Sequence, residues 1–359
     1  MDLSDYYLYG FNNYCRALLP RQLLKAPPLA IIDQNSDVDN FMGISILKPD
    51  NPDIDKSKPV FNCLLGYPNL EEILKGSGFQ WVINTYDVFD ILNNSLLDMS
   101  VDGLNYRKKP RESQINIDKI KILSGMLTDN ESKSIVRRLV EFRQSPSQST
   151  YIFPECYDMY FPPNIPNLYK EKKLRVMDVG AFNGDTLEVF ARNYRDSLES
   201  YACIEVNDKN IKDLKLNIEG LGLTKITKIY NGAVGLPEDV VLVLRGKSSD
   251  TQVIAVDEAS ILLNDKVVNR LDFSKLLFEQ QPNVIKMDIE GADYKALSEA
   301  RSFIASYLPT LSLSVYHNPD DLWEIPMLIN SFVGDGYNYY IRHEGHWGFE
   351  TIFYAVPKK

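Results

Sequence analysis

Charged residues recur at every second position in Val284-Ile-Lys286-Met-Asp288-Ile-Glu290-Gly291, so a strand through this run turns Lys286, Asp288 and Glu290 to one face near its end. Three charges on one face of a central strand need partners or a ligand. The plainer alternative is an ion pair of Lys286 that only orders the following loop. A second apolar run, Leu311-Ser-Leu-Ser-Val-Tyr316, is followed directly by His317. In open α/β sheets ligands bind outside the carboxyl ends of the strands, which predicts His317, Asp288 and Glu290 at one crevice. Histidine is the side chain whose ordinary pKa suits a general base near neutral pH. His317 is therefore the candidate base or substrate-orienting group, with Asp288 and Glu290 as its carboxylate partners. The other two histidines stand in Arg342-His343-Glu-Gly-His346-Trp347-Gly, a glycine-broken stretch between strand candidates at Tyr339 to Arg342 and Thr351 to Ala355. Their spacing is compatible with zinc but lacks further ligands, so no metal is assigned there. A lid is expected instead, with Tyr316, His343 and His346 on the substrate side. Trp323, Trp347 and Phe349 are aromatics for stacking on a ligand, with core packing as the alternative for each.

A second constellation lies upstream. Leu174 to Thr186, LRVMDVGAFNGDT, is an apolar run broken at Gly180-Ala181 and again at Gly184, followed by Leu187, Phe190 and Tyr194 at helical spacing. It reads as strand, tight turn, helix. Small residues there let a backbone approach a ligand and aim the first helical N–H groups at it. A dinucleotide fold prefers G-x-G-x-x-G around a pyrophosphate, whereas this turn carries Asp178 and Asp185. Carboxylates repel a pyrophosphate and suit a cation such as a sulfonium. The strand Tyr201-Ala-Cys-Ile-Glu205 ends in an acid 27 residues after Asp178 (205 − 178), a position that can hold two ribose hydroxyls. S-adenosylmethionine is accordingly expected as cofactor. Asp178, Gly180, Ala181, Phe182, Gly184, Asp185 and Thr186 form its turn, and Glu205 and Val206 the ribose end. Asn231, before Gly-Ala-Val-Gly235, lies at the adenine end, and Asp288 closes the site.

In order, VMDVGAFNGDT, ACIEVND, NGAVG, VIKMDIEGADYKAL and LSVYHNPDDLWEIP resemble the blocks of the FkbM-type family of S-adenosylmethionine-dependent O-methyltransferases, over roughly Tyr169 to Pro357. The resemblance implies a class I methyltransferase fold: a Rossmann-like, mostly parallel seven-stranded sheet with helices on both faces. It also implies methylation of a hydroxyl, on a sugar, nucleotide sugar or glycan. A small secondary metabolite is the alternative acceptor, and a binding module without catalysis is the alternative class. It places Asp288 and Glu290 in a D-x-E-G block and His317 in a matching block. A divalent ion bridging the two carboxylates is a variant of the mechanism without support from the sequence.

These residues must be positioned by a larger frame. The 359 residues suffice for two domains. Tyr6 to Gly10, a helix over Tyr14 to Leu24, and Leu29 to Asp33 make another β-α-β opening. Gly43 to Leu47, Val60 to Leu65 and Phe79 to Asn84 are further strand candidates around a helix at Leu70 to Lys75. Phe11 would crowd a phosphate in the first loop, so residues 1–100 are expected to be a small Rossmann-like α/β domain without cofactor. Residues 101–167 are expected to be a helical bridge, with Thr128-Asp-Asn-Glu131 in capping-box form before Ser132 to Phe142. Residues 168–359 are expected to be the methyltransferase domain. In it, Asn210 to Ile218 reads as a helix, Ile226 to Tyr230 and Val267 to Leu271 as strands, and Ser248 to Asp250 as a turn. A net charge of −10 disfavours nucleic acid, which needs a basic footprint. No basic start with an apolar run marks a signal peptide, no apolar stretch reaches membrane-spanning length, and four scattered cysteines fit reduced thiols. A cytoplasmic protein is expected, with homo-oligomerisation through the first domain as an option.

Overall fold

A computed structural model describes residues 5–12, 15–16, 19, 26–64, 69–84, 115–145, 149–236, 241–245, 252–256, 266–345 and 348–358. Contacts divide the chain into two units. One comprises Met1–Gln114, Arg137–Phe153 and Gly345–Gly348, the other Ile115–Val136, Pro154–Glu344 and Phe349–Lys359. The helix expected over Tyr14 to Leu24 falls mostly outside the described residues, and the turn at Ser248 to Asp250 wholly so.

The first unit holds strands β1 (Tyr7–Tyr9), β2 (Ala30–Ile32), β3 (Asn40–Phe41), β4 (Ile44–Leu47) and β5 (Val60–Asn62), helix α1 (Leu70–Gly76) and strand β6 (Val82–Ile83). The order is β3-β4-β2-β1-β5-β6, parallel throughout except for β3 against β4. Tyr7, Ile32, Val60 and Leu74 share its core. Where the order reverses, beside β1, the chain fills its own crevice. A Cβ at Gly10 (φ +96°) would lie 2.4 Å from Leu64 Cγ, and the Phe11 N–H donates to Asp33 Oδ2 at 2.7 Å. Gly10 thus serves close packing.

The second unit opens with α2 (Ile117–Met126) and α3 (Asn130–Gln144), whose residues from Arg137 count with the first unit. It continues through β7 (Leu174–Val179), α4 (Asp185–Tyr194), β8 (Leu198–Glu205), α5 (Asp208–Gly220) and β9 (Thr227–Asn231). Next come the antiparallel β10 (Val241–Arg245), β11 (Gln252–Val256) and β12 (Lys266–Val267). Then follow α6 (Phe273–Gln280), β13 (Val284–Met287), α7 (Asp293–Glu299), α8 (Arg301–Tyr307), β14 (Thr310–Ser314), α9 (Asp321–Val333), β15 (Tyr337–His343) and β16 (Thr351–Pro357). Seven of these strands form one sheet in the order β15-β16-β14-β13-β7-β8-β9, in which only β16 runs against its neighbours. This is the seven-stranded class I methyltransferase arrangement. Its order reverses between β7 and β13, which places the ligand crevice at their carboxyl ends.

Central parallel strands are covered on both faces and read as near-continuous apolar runs, and Val284 to Met287 is buried at every position. On one face, Leu187 and Phe190 of α4 meet Tyr169, Tyr201 and Leu214 in one cluster. The Tyr169 and Phe190 rings are 5.0 Å apart. Two local readings change. The strand expected over Val267 to Leu271 stops at Val267, because Asp272 caps α6 by accepting the Lys275 N–H at 2.9 Å. The cap of α3 is Asp129, accepting the Ser132 N–H at 2.8 Å, while Thr128 exchanges two hydrogen bonds with Tyr339 of β15.

Arg342, on β15, has no exposed surface. Its guanidinium donates to Asp129 Oδ2 at 2.7 Å, Asn164 Oδ1 at 2.9 Å and Ser132 Oγ at 2.9 Å, and lies 3.3 Å from Glu131 Oε2. The polar start of α3 is thereby tied to the edge of the sheet.

Candidate active site

The glycine turn connects β7 to α4. Gly180 sits at φ +82°, Phe182 at +47° and Gly184 at +89°, left-handed conformations that glycine adopts without cost. Gly180 and Ala181 donate their N–H groups to Ile204 O at 2.9 and 3.1 Å, which pins the turn to β8. Gly184 is the residue before α4, whose first turn contains Asp185 and the buried Thr186. A Cβ at Gly180 would stand 1.9 Å from the carbonyl oxygen of Asp288. The glycine turn and the acidic loop after β13 are therefore in direct contact.

Glu205 ends β8 with 7% exposure. Its Oε2 accepts the Phe182 N–H at 2.9 Å and its Oε1 the Val206 and Asn207 N–H groups at 2.8 Å each. Burial pushes its pKa up, and these backbone donors oppose the shift. Most of the acceptor positions expected to meet ribose are thus committed to backbone donors of the turn and of the loop after β8. The sheet register places Asn231 of β9 opposite Glu205, where its amide donates to Asp208 Oδ1 at 3.3 Å.

Asp178 does not face a ligand. It has no exposed surface, its Oδ1 lies 3.0 Å from Lys286 Nζ, and its Oδ2 accepts the Tyr201 hydroxyl at 2.7 Å. The expected presentation of this carboxylate to a cation is corrected accordingly: a central strand position between β8 and β13 is too deep for it. Lys286 also donates to Gly180 O at 2.7 Å. The ion pair weighed as the plain alternative for Lys286 exists, and it contacts the glycine turn.

On the other side of the crevice, Asp288 and Glu290 leave the strand, which ends at Met287. Glu290 adopts φ +56°, so the period-two alternation breaks after Lys286. His317 still gathers the cluster. Its Nε2 lies 2.9 Å from Asp288 Oδ1 and 4.0 Å from Glu290 Oε2, and its Nδ1 lies 3.2 Å from Asp293 Oδ2. Asp288 Oδ2 accepts the Tyr160 hydroxyl at 2.7 Å and the Tyr316 hydroxyl at 3.3 Å. His317 is fully buried. Burial alone would lower its pKa, but Asp293 and Asp288 outweigh that and hold it well above the usual imidazole value. Burial likewise would raise Asp288, yet the imidazolium and Lys286 keep it below the ordinary carboxylate range. A raised imidazole pKa disfavours the neutral form that a base needs, and the geometry makes His317 a partner of both Asp288 and Asp293.

Four residues of this cluster were missed in the sequence. Asp293 sits in the same block as Asp288, and proximity to it was an available signal. Tyr160 comes from a segment before β7, and nothing local marks it. Glu350 and Glu344 flank the glycine-broken stretch; burial pushes their carboxyls up to about 8 and about 7. Glu350 Oε2 is buried without a hydrogen-bond partner among the described residues. His343 is the last residue of β15 rather than part of a lid, 1% exposed, with Nδ1 3.1 Å from Thr351 Oγ1. His346 and Trp347 lie outside the described residues. Trp323 is core, 2% exposed, whereas Phe349 meets the Tyr316 ring edge-on at 6.1 Å. Among the described residues no group of three or more His, Cys, Asp or Glu is placed to hold a metal, and no helix is long and apolar enough to cross a membrane.

The two raised glutamates make a pH prediction. A carboxyl whose folded pKa exceeds its unfolded value, about 4.3 for glutamate, contributes stability fully present below that value. The contribution is lost as pH climbs through about 7 to 8. Glu350→Gln cannot ionise, so its melting temperature relative to wild type is expected to rise between pH 5.5 and pH 8.5. A difference that stays constant with pH contradicts a buried acid at this position.

Comparison with known proteins agrees with this geometry. Residues 178–341 match the family model of the methyltransferase FkbM domain. The fold is similar to the crystal structure of methyltransferase FkbM from Methylobacillus flagellatus KT, at 16% identity over 99% of this chain and 90% of that one, with a TM-score of 0.64. Aeropyrum pernix fibrillarin, solved with natively bound S-adenosyl-L-methionine, is similar at 11% identity over 54% of this chain and 70% of that one, with a TM-score of 0.32. No curated protein matches the chain.

Proposed function

From the match of residues 178–341 to the family model of the methyltransferase FkbM domain, we propose that the chain is an S-adenosylmethionine-dependent O-methyltransferase acting on a hydroxyl of a sugar, nucleotide sugar or glycan. The observation that carries the reading is the contact between the Gly180 turn and Asp288, which makes one crevice of a nucleoside cradle and an acid cluster. The cradle fits the cofactor: its backbone has room only for glycine at position 180, and Glu205 orders the Phe182, Val206 and Asn207 N–H groups around the expected ribose position. When bound, S-adenosylmethionine supplies an electrophilic methyl group. The chain's own part is to align a hydroxyl for in-line transfer and pass its proton to one of the two carboxylates, Asp288 or Glu290. Asp288, held by His317, Tyr160 and Tyr316, and Glu290 are the groups assigned to orient that hydroxyl. The partly buried Phe349 ring, packed against Tyr316, is an aromatic of the kind a sugar ring stacks on, which supports a carbohydrate acceptor. Incubation of the protein with labelled methyl donor and a panel of nucleotide sugars and glycans tests the assignment, and label appearing only in small aromatic metabolites would redirect it.

Glu205→Ala is expected to weaken S-adenosylmethionine binding tenfold or more. Charge-assisted hydrogen bonds contribute about 1.5–3 kcal/mol each, and this substitution releases three backbone donors of the cradle. Calorimetry in which the variant binds as tightly as wild type would contradict the role of Glu205.

A further inference from the structure

We propose that Lys286 is a positioning residue that couples the cofactor turn to the acceptor-side carboxylate, an inference that rests on the functional reading above. Its ammonium group is buried on β13, with 5% of the side chain exposed, and reaches three features at once. It lies 3.0 Å from Asp178 Oδ1 and donates to the carbonyl oxygen of Gly180 at 2.7 Å. It also stands 5.2 Å from the centre of the Tyr160 ring, whose hydroxyl donates to Asp288 at 2.7 Å.

A buried ion pair is a poor device for stability alone, because desolvation offsets most of the Coulomb gain and apolar side chains of similar volume often do as well. The pair between Lys286 and Asp178 does something that such side chains cannot. Gly180 sits in a left-handed conformation, its carbonyl accepting from Lys286 while the N–H groups of Gly180 and Ala181 donate to Ile204 O. Without that donor, only the longer Ala181 N–H bond to Ile204 O, at 3.1 Å, holds the peptide between Gly180 and Ala181, and the part-buried carbonyl is drawn toward water, which would reset that peptide. Asp178 and the Tyr201 hydroxyl bonded to it keep the ammonium charged and aimed, and burial of the pair fixes its direction. The same charge reaches Asp288 and helps to keep it ionised.

Stability and positioning separate in one set of variants. Lys286→Met strands the Asp178 carboxylate in the core and is expected to lower both the melting temperature and the affinity for S-adenosylmethionine, the latter at least tenfold. Combining Asp178→Asn with Lys286→Met removes the stranded charge. This double variant is expected to recover most of the melting temperature while remaining at least tenfold weaker in cofactor affinity, since Gly180 O still lacks its donor. Asp178→Asn alone keeps the Lys286 contact to Gly180 and is expected to bind within a few-fold of wild type despite a lower melting temperature. A double variant restored in both properties, or one that does not fold, makes the pair structural and overturns the proposal. Equal losses of affinity in Asp178→Asn and the double variant overturn it as well, because Asp178 then acts on the cofactor directly. Wild-type protein that binds no S-adenosylmethionine removes the cofactor reading first, and the proposal with it.

Discussion

Gly180→Ala is expected to abolish measurable S-adenosylmethionine binding and to lower the melting temperature clearly. The added Cβ would lie 1.9 Å from the Asp288 carbonyl oxygen, and neither backbone is free to move away. The Asp288 N–H is bonded to Val179 O at 2.9 Å and the Gly180 N–H to Ile204 O at 2.9 Å, so relief on one side breaks a sheet contact on the other. Overpacking costs about 1–3 kcal/mol and the left-handed backbone of a non-glycine residue about 1–2 kcal/mol more. Gly184→Ala is the comparator: its Cβ would meet the end of the Leu214 side chain at 2.8 Å, which can rotate aside. Thermal melts should therefore show the Gly180 variant well below the Gly184 variant. Comparable melting of the two would mean that the turn and the Asp288 loop are not in contact.

The second large effect is expected far from the cradle. Asp129→Asn combined with Glu131→Gln removes both carboxylates paired with the buried Arg342 guanidinium, and removing the partner of a buried charge costs about 3–5 kcal/mol. Arg342 has no exposed surface, whereas Asp129 and Glu131 are partly exposed, with 29% and 38% of their side chains accessible. The opposite truncation, Arg342→Met, should accordingly be milder, because the two acids can turn to water. Urea unfolding of both variants checks the ordering. An Arg342→Met loss larger than that of the double acid variant would show that packing of the arginine stem, rather than its charge, holds α3 to β15.

What the sequence made legible follows from how local each signal is. The turn from Val179 to Thr186 declares itself because its glycines, its apolar strand and its helix are contiguous, and the sheet order follows once that unit and the blocks after it are placed. His317, Asp288 and Glu290 were predicted at one crevice because each stands at or just beyond the carboxyl end of a strand. Their charge states were not legible. Whether an imidazole is a base or a clamp depends on the side chains opposite both its nitrogens, and Asp293 faces the second one. Asp178 shows the same limit: its position at a strand end looks ligand-facing until a lysine on the neighbouring strand is seen to meet it. Tyr160 and Arg342 depend on contacts across more than a hundred residues, for which no local pattern exists. His343 was expected in a lid because Gly345 and Gly348 suggested a loop starting earlier, whereas pairing with Thr351 carries β15 through to residue 343.

Direct binding of S-adenosylmethionine to the wild-type chain tests the central claim most closely. Calorimetry is predicted to show one site per chain for S-adenosylmethionine, with competition by its demethylated product and loss of the signal in Gly180→Ala. Absence of binding, or saturable binding of a nicotinamide dinucleotide at the same site, would contradict the account.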